Sequence, residues 1–270
     1  MAQTYDLTRG KTSSVILKFF FPMFFTNMLQ QLYTVADTAI VGKGLGDNAL
    51  ASVGNMSSLT FHIIGFSLGI SNGFSVSIAQ SYGAGNHEKL KKAIAASVKL
   101  SVIVTIILTA ISMLFLKPVL VMLRTDESIL KDSLIYGYII FGGLFSTIAY
   151  NMASCILRAL GDSKTPFTAI IVSTIINIRL NCFFIFGMKT GVEGVAIATI
   201  IAQVVSALIC FARLKKIEII RLSPQDFKAD FAMYSELFRN GLPMALMNSI
   251  TAVGCMVIQY FINGLGVAYT

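Results

Sequence analysis

Long runs of apolar residues, broken by short charged stretches, set the pattern of the chain. The runs fall at roughly 14–41, 52–80, 93–117, 133–155, 166–188, 191–213 and 240–263. Each is about as long as the ~20 residues that cross a bilayer. They are apolar all round, where a soluble helix would show one apolar stripe. Only helices and closed barrels satisfy their backbone groups in lipid, and runs of this length mean helices. The pattern predicts an all-α integral membrane protein with about seven spans.

Composition adds little beyond this. Apolar residues make up 55% of the 270 positions and charged residues 13%, about half the charged share of a soluble domain. The formal net charge of +8 follows from where the basic residues lie. The N-terminal tail, the turn at Lys89-Leu90-Lys91-Lys92, the turn with Arg158 and Lys164, and the stretch Arg213–Arg239 hold thirteen Lys and Arg. The alternate loops hold five, namely Lys43, Lys117, Arg124, Lys131 and Lys189. This bias predicts a cytoplasmic N-terminus and accounts for the excess charge without a nucleic-acid partner. Met1–Lys11 is polar and carries no signal-peptide cleavage pattern. Cys155, Cys182, Cys210 and Cys255 all fall within predicted spans and read as small buried residues, with no metal spacing and no disulfide framework.

The chain also repeats itself. Pro22-Met23 returns as Pro243-Met244, an offset of 221 residues, and Asn27 and Asn248 each stand five residues after the Pro. Gly44-Leu45-Gly46 returns as Gly264-Leu265-Gly266, one position out of register. The repeat divides the chain into a six-helix lobe over 1–213, a cytoplasmic linker over 214–239 and the first helix of a second, truncated lobe over 240–270. Within the linker, Ser223-Pro224-Gln225-Asp226 predicts the start of an amphipathic surface helix: Ser at the cap, Pro in the first turn, an acid at the positive end of the dipole. Pro22 and Pro243 each remove a backbone donor inside a span and predict a kink there.

Candidate chemistry centres on Asp37, the one acid inside the first five predicted spans. A buried carboxylate in a membrane helix costs a few kcal/mol, and a monovalent cation or a proton cancels the charge that burial penalises. The alternative is that Asp37 lies near the end of its span and snorkels to water. Gln30, Tyr33 and Asp37 stand at i, i+3 and i+7, and Asn27 extends this polar stripe by a turn. Such a stripe is expected to face protein or a water-filled cavity. Asn177 and Asn181 share a helix face and offer carbonyl oxygens to a cation, or serve as interhelical glue. Thr199 and Gln203, at i and i+4, present a hydroxyl and an amide, although a threonine also bonds back to its own helix. Arg179 is about 200° round the helix from both asparagines and so off their face. His62, alone in an apolar span, reads as a packing residue. Gly83-Ala84-Gly85 lacks the Lys-Ser/Thr of a phosphate loop and sits at a helix–helix turn. No nucleophile–base pair, metal cluster or nucleotide motif appears, so neither an enzyme nor an ATP-driven machine is indicated.

Five segments together resemble the multidrug and toxic compound extrusion family of cation-coupled exporters. They are Tyr33-Thr34-Val35-Ala36-Asp37-Thr38 followed by Val41-Gly42; Ser81-Tyr82-Gly83-Ala84-Gly85-Asn86; Leu157 to Pro166; Asn177 to Gly187; and Gly194 to Thr199. The resemblance implies twelve helices in two pseudo-symmetric lobes when complete, no cofactor, and coupling to Na+ or H+. It implies a cation site at Asp37, Asn177, Asn181 and Thr199, and a substrate cavity along Asn27, Gln30, Tyr33 and Gln203. Many members carry Asn-x-x-x-Asp where this chain has Asn177 and Asn181, a subset has Asn at both places, and Arg179 stands where members keep an apolar residue. The expected partners are small amphipathic or cationic compounds, the lipid bilayer and the missing second lobe. The expected location is a plasma membrane of bacterial type. Two alternatives remain open: a flippase for lipid-linked oligosaccharides, and a truncated membrane protein that transports nothing.

Overall fold

The computed structural model describes residues 12–228 and 230–264. Eight α-helices follow one another among these residues: α1 (Thr12–Leu45), α2 (Asp47–Gly83), α3 (His87–Met122), α4 (Glu127–Gly142), α5 (Leu144–Ala159), α6 (Lys164–Cys182), α7 (Val192–Leu214) and α8 (Phe231–Asn263). A π-turn over Phe183–Gly187 extends α6. Helices α2, α3, α7, α8 and the extended α6 are long and apolar enough to cross a membrane, and α4 and α5, bent by 46° at their junction, together have the length and apolarity of one more. At 34 residues, α1 has the length to cross, but Asn27, Gln30 and Gln31 dilute its apolar run. Each of the seven expected apolar runs is helical among the described residues, the fourth of them broken at Gly143.

Each break has a local cause. Gly85 takes a φ of +68°, a left-handed conformation that suits a residue without Cβ. The next residue, Asn86, accepts a hydrogen bond from Lys89 N at 2.9 Å and caps α3. Asp126 caps α4 by accepting from Ser128 N at 2.8 Å. The α4–α5 bend falls at Gly143, where a Cβ would meet Ile200 of α7 at 2.4 Å; the span turns where α7 presses on it. At the far end of α5, Gly161 turns the chain at φ +87°. Asp162 then accepts from Thr165 N (3.0 Å) and Thr165 Oγ1 (2.8 Å), and Arg213 Nε at the end of α7 donates to it at 2.8 Å.

Among the described residues the interior holds three apolar clusters, the smallest of them with Tyr150, Leu157, Ile170 and Cys210 between α5, α6 and α7. Of the larger two, one holds Val41, Met56, Leu116, Tyr136, Ile148 and Val195, the other Phe74, Ile78, Leu90, Ile156, Leu160 and Leu237. Large apolar side chains such as Ile106, Leu114 and Ile250 point outward, as expected of a surface that meets lipid. The closest helix contact runs between α2 and α8. A Cβ on Gly73 would come within 2.3 Å of Gly241 Cα, and one on Gly69 within 2.6 Å of Ala245 Cα. Small residues let the two backbones touch where dispersion, not the hydrophobic effect, holds helices together.

One expectation for the 214–239 linker is corrected. Ser223 N and Oγ do donate to Asp226 Oδ2, at 2.6 and 2.8 Å, but the segment makes a single turn over 224–227 and no surface helix follows. A few polar residues cannot repay the cost of nucleating a helix without an apolar face to pack. Ahead of Phe231 the described linker residues are instead extended, with a short 3-10 turn at Glu218–Ile220 and Ile220 buried in the cluster at the start of α3. The helix expected to begin at 240 begins at Phe231. Pro22 and Pro243 lie inside α1 and α8, each continuous as an α-helix across its proline. The far half of the Gly264-Leu265-Gly266 repeat falls outside the described residues.

The Asp162 junction yields a stability prediction. Burial pushes its carboxyl pKa up, but Arg213 and the two Thr165 donors outweigh burial and hold it below the ordinary value of 3.8. A depressed folded-state pKa means a stabilisation that is complete above 3.8 and lost as pH falls through the folded value. Asp162→Asn is expected to cost on the order of 3 kcal/mol, seen as a lower thermal midpoint in detergent at pH 7, and the gap from wild type should close only in strong acid.

Candidate functional site

Asp37 lies eight residues from the end of α1, at Leu45, on a face turned into the bundle rather than toward water. Its exposure is 8%, and Asn177 and Asn181 of α6 are fully buried. Asn181 Nδ2 donates to Asp37 Oδ1 in a short contact and to Asn177 Oδ1 at 3.0 Å. Asn177 Nδ2 donates to Thr199 Oγ1 of α7 at 3.4 Å, and Tyr33 OH reaches the same oxygen at 3.4 Å. Thr199 in turn donates to Val195 O at 3.0 Å, so it both bonds back to its helix and joins the network. Asp37, Asn181, Asn177, Thr199 and Tyr33 form one connected cluster between α1, α6 and α7.

The four-residue spacing of Asn177 and Asn181 puts them one above the other on α6. Close approach of α1 to the end of α6 brings Asp37 level with them: a Cβ on Gly44 would meet Ile185 Cγ2 at 2.5 Å, so only glycine lets the two segments come this near. At the other end of the contact, Phe25 and Phe167 meet with ring centroids 6.5 Å apart.

The other expected residues divide. Asn27 and Gln30 lie on the exposed side of α1, so the stripe enters the bundle only at Tyr33 and Asp37. Gln203 is half-buried, and its Oε1 has no partner among the described residues. Arg179 is exposed, on the side of α6 away from the buried asparagines. His62 and Ser112 border an apolar cleft of about 250 Å³ between α2, α3, α4 and α8, away from Asp37. The four cysteines are free, Cys155 and Cys210 buried and Cys182 and Cys255 exposed. Sequence reasoning missed Tyr136 of α4, which is buried and within electrostatic reach of Asp37 and Tyr33. An aromatic in an apolar span reads as packing, and no local pattern marks it.

The cluster offers one carboxylate and several neutral oxygens. Asn181 Oδ1 is buried and has no hydrogen-bond partner among the described residues. A buried carbonyl oxygen without a donor costs about 1–3 kcal/mol, and it belongs to the residue that donates to the buried Asp37 carboxylate. Hard oxygens with a single negative charge suit a monovalent cation or a proton rather than a soft metal. No group of three or more His, Cys, Asp or Glu with metal-binding geometry occurs among the described residues.

The chain as a whole is similar to known proteins. The family model MatE matches residues 22–183. The probable multidrug resistance protein YoeA of Bacillus subtilis is 32% identical over 92% of this chain and 55% of its own length. The probable multidrug resistance protein YpnP of the same organism is 28% identical over 98% of this chain and 59% of its own. A solved MOP superfamily transporter from Pyrococcus furiosus superposes with a TM-score of 0.85 at 27% identity, covering 92% of this chain and 55% of that one. The chain therefore spans a little over half the length of the curated relatives it matches.

The Asp37–Asn181 contact sets up a double-mutant test. Asn181→Leu leaves the Asp37 carboxylate buried without its donor and is expected to destabilise the fold by about 1–3 kcal/mol. Adding Asp37→Asn removes the unpaired charge and should restore part of that loss, a coupling read from four thermal midpoints in detergent.

Proposed function

Because the chain belongs to the MatE family, we propose that it is the first half of a secondary antiporter exporting amphipathic and cationic organic compounds. Inward movement of Na+ or H+ through the Asp37 cluster drives the export. The carrying observation is the buried carboxylate on α1 beside an unpartnered Asn181 oxygen. That pairing is costly to keep inside a membrane unless a cation or proton comes and goes. Asp37, Asn181, Asn177 and Thr199 hold the ion. Tyr33 fixes Thr199 from the α1 side, and Gln203 stands one turn further along α7. Asn27 and Gln30, on the open side of α1, face the substrate cavity that forms against the second lobe.

In this reading residues 1–213 form the first lobe, 214–239 the cytoplasmic connection and 240–270 the start of the second. The N-terminus is cytoplasmic and the membrane is a bacterial plasma membrane. The pair of neutral amides leans toward Na+, since it brings no second titratable acid. A lipid-linked oligosaccharide flippase would need several cations to hold phosphates, and the one Arg in α6, Arg179, lies away from the cluster.

Coupling is tested in vesicles carrying the full-length transporter under separately imposed Na+ and pH gradients. Asp37→Asn keeps shape and hydrogen bonding but removes charge and titration. It is expected to abolish gradient-driven efflux with near-normal expression, and Asn177→Ala to weaken efflux without abolishing it. Efflux at the wild-type rate in Asp37→Asn would refute the mechanism. The orientation is tested with reporters fused after Lys216 and after Lys189, expected to read cytoplasmic and external respectively.

A further inference from the structure

Helices α2 and α8 meet along nearly their whole length, and the chemistry of the seam changes from one end to the other. In the middle, Gly69 and Gly73 lie against Ala245 and Gly241 with no room for a Cβ. Asn248 Nδ2 donates to Gly65 O there at 3.0 Å. Toward the linker, Asn240 Nδ2 donates to Ser77 Oγ at 3.0 Å, and beside the seam Lys89, at the start of α3, pairs with Glu236 of α8 at 3.0 Å through side chains 44% and 33% exposed. An ion pair so open to water holds little.

The opposite end is built differently. Helix α3 ends with Arg124 in a left-handed conformation, φ 56°. Arg124 N bonds to Val121 O at 3.0 Å and Thr125 N to Leu120 O at 3.1 Å, a Schellman ending. This ending leaves the Leu123 carbonyl to find a donor elsewhere. Asn263 of α8 supplies it: its Nδ2 donates to Leu123 O at 2.8 Å and to Asn55 Oδ1 at 3.0 Å. Asn55 is fully buried in α2, and its own amide donates to Thr125 Oγ1 at 2.8 Å. Gln259 Nε2 donates to Asn263 Oδ1 at 2.8 Å, which fixes the amide so that its N–H groups face the socket. The Arg124 guanidinium lies 4.8 Å from the centre of the Tyr260 ring and covers the contact from outside.

We propose that this socket is a latch closing the external end of the α2–α8 seam, with the glycine contact as the fulcrum about which the seam opens. The proposal rests on the transporter reading above, which places α8 at the start of the second lobe. The physics of the two contacts differs. Parting the glycine surfaces would forfeit close-packed dispersion contacts that looser solvent returns only in part. Parting Asn263 from its socket exchanges each protein hydrogen bond for one to water once the external side is wet, a nearly balanced trade. A dry seam therefore keeps the latch shut, and entry of water lets it open without a large barrier.

The test uses the full chain in cell membranes, with the four native cysteines replaced by alanine. The reporter is Ser58→Cys, a buried position one turn from Asn55 on α2, probed with a membrane-impermeant maleimide. Labelling of this background is expected to be slow. Asn263→Leu should speed it roughly tenfold, the scale set by losing two buried hydrogen bonds. Asn248→Ala, which removes a bond from the middle of the same seam, should leave it unchanged. Thr125→Val strips Asn55 of its hydroxyl partner without altering α8, and should raise labelling roughly two- to threefold even if Asn263→Leu fails to accumulate. Background-rate labelling in both Asn263→Leu and Thr125→Val overturns the latch, as does an equal rise in Asn248→Ala. The readout requires no transport, so labelling as expected here together with a full-length transporter that exports nothing refutes the exporter reading alone.

Discussion

A single carboxylate inside a membrane bundle is the constraint around which this structure is arranged. Asp37 cannot be left bare in a low-dielectric interior, and the fold answers with the amide of Asn181, itself tied to Asn177 and through it to Thr199 and Tyr33. This chain of bonds joins α1, α6 and α7. It also leaves one Asn181 oxygen without a donor, so the cluster is stable enough to form and incomplete enough to take up a cation or proton.

Holding Asp37 at that level requires the helices to approach closely, and glycine provides this at several junctions. Gly44 admits α1 to the end of α6, Gly143 lets α7 press into the α4–α5 bend, and Gly73 lets α2 touch α8. In lipid there is no hydrophobic gain from bringing two apolar helices together, so contact distance decides which pairs associate. The helix ends are secured differently, by short polar side chains acting locally: Asn86, Asp126 and Asp162 each satisfy backbone donors of the helix that follows.

Polar contacts between α8 and the rest are graded from a solvent-exposed ion pair to a buried amide socket. Polar contacts dominate both ends of the seam, and in the middle close packing of Gly69 and Gly73 on Ala245 and Gly241 is joined by one hydrogen bond, Asn248 to Gly65 O. With that distribution either end can part without the centre coming undone.

The sequence by itself determined the all-helical membrane architecture, because runs of this length admit no other way to satisfy the backbone in lipid. It also identified Asp37, Asn177, Asn181 and Thr199 as candidates, since a lone acid and same-face amides in apolar spans are conspicuous against a uniform background. Tertiary structure alone decided the rest. Periodicity placed Asn27 and Gln30 in the same stripe as Asp37, but the way α1 leans on α6 buries only the Tyr33–Asp37 end of it. The capping pattern at Ser223 is locally sound and forms its hydrogen bonds, but a helix needs a surface to pack on, and the linker has none there. Tyr136 and the Asn55–Asn263 pairing, 208 residues apart, leave no local signature, because what makes them matter is the partner that packing delivers.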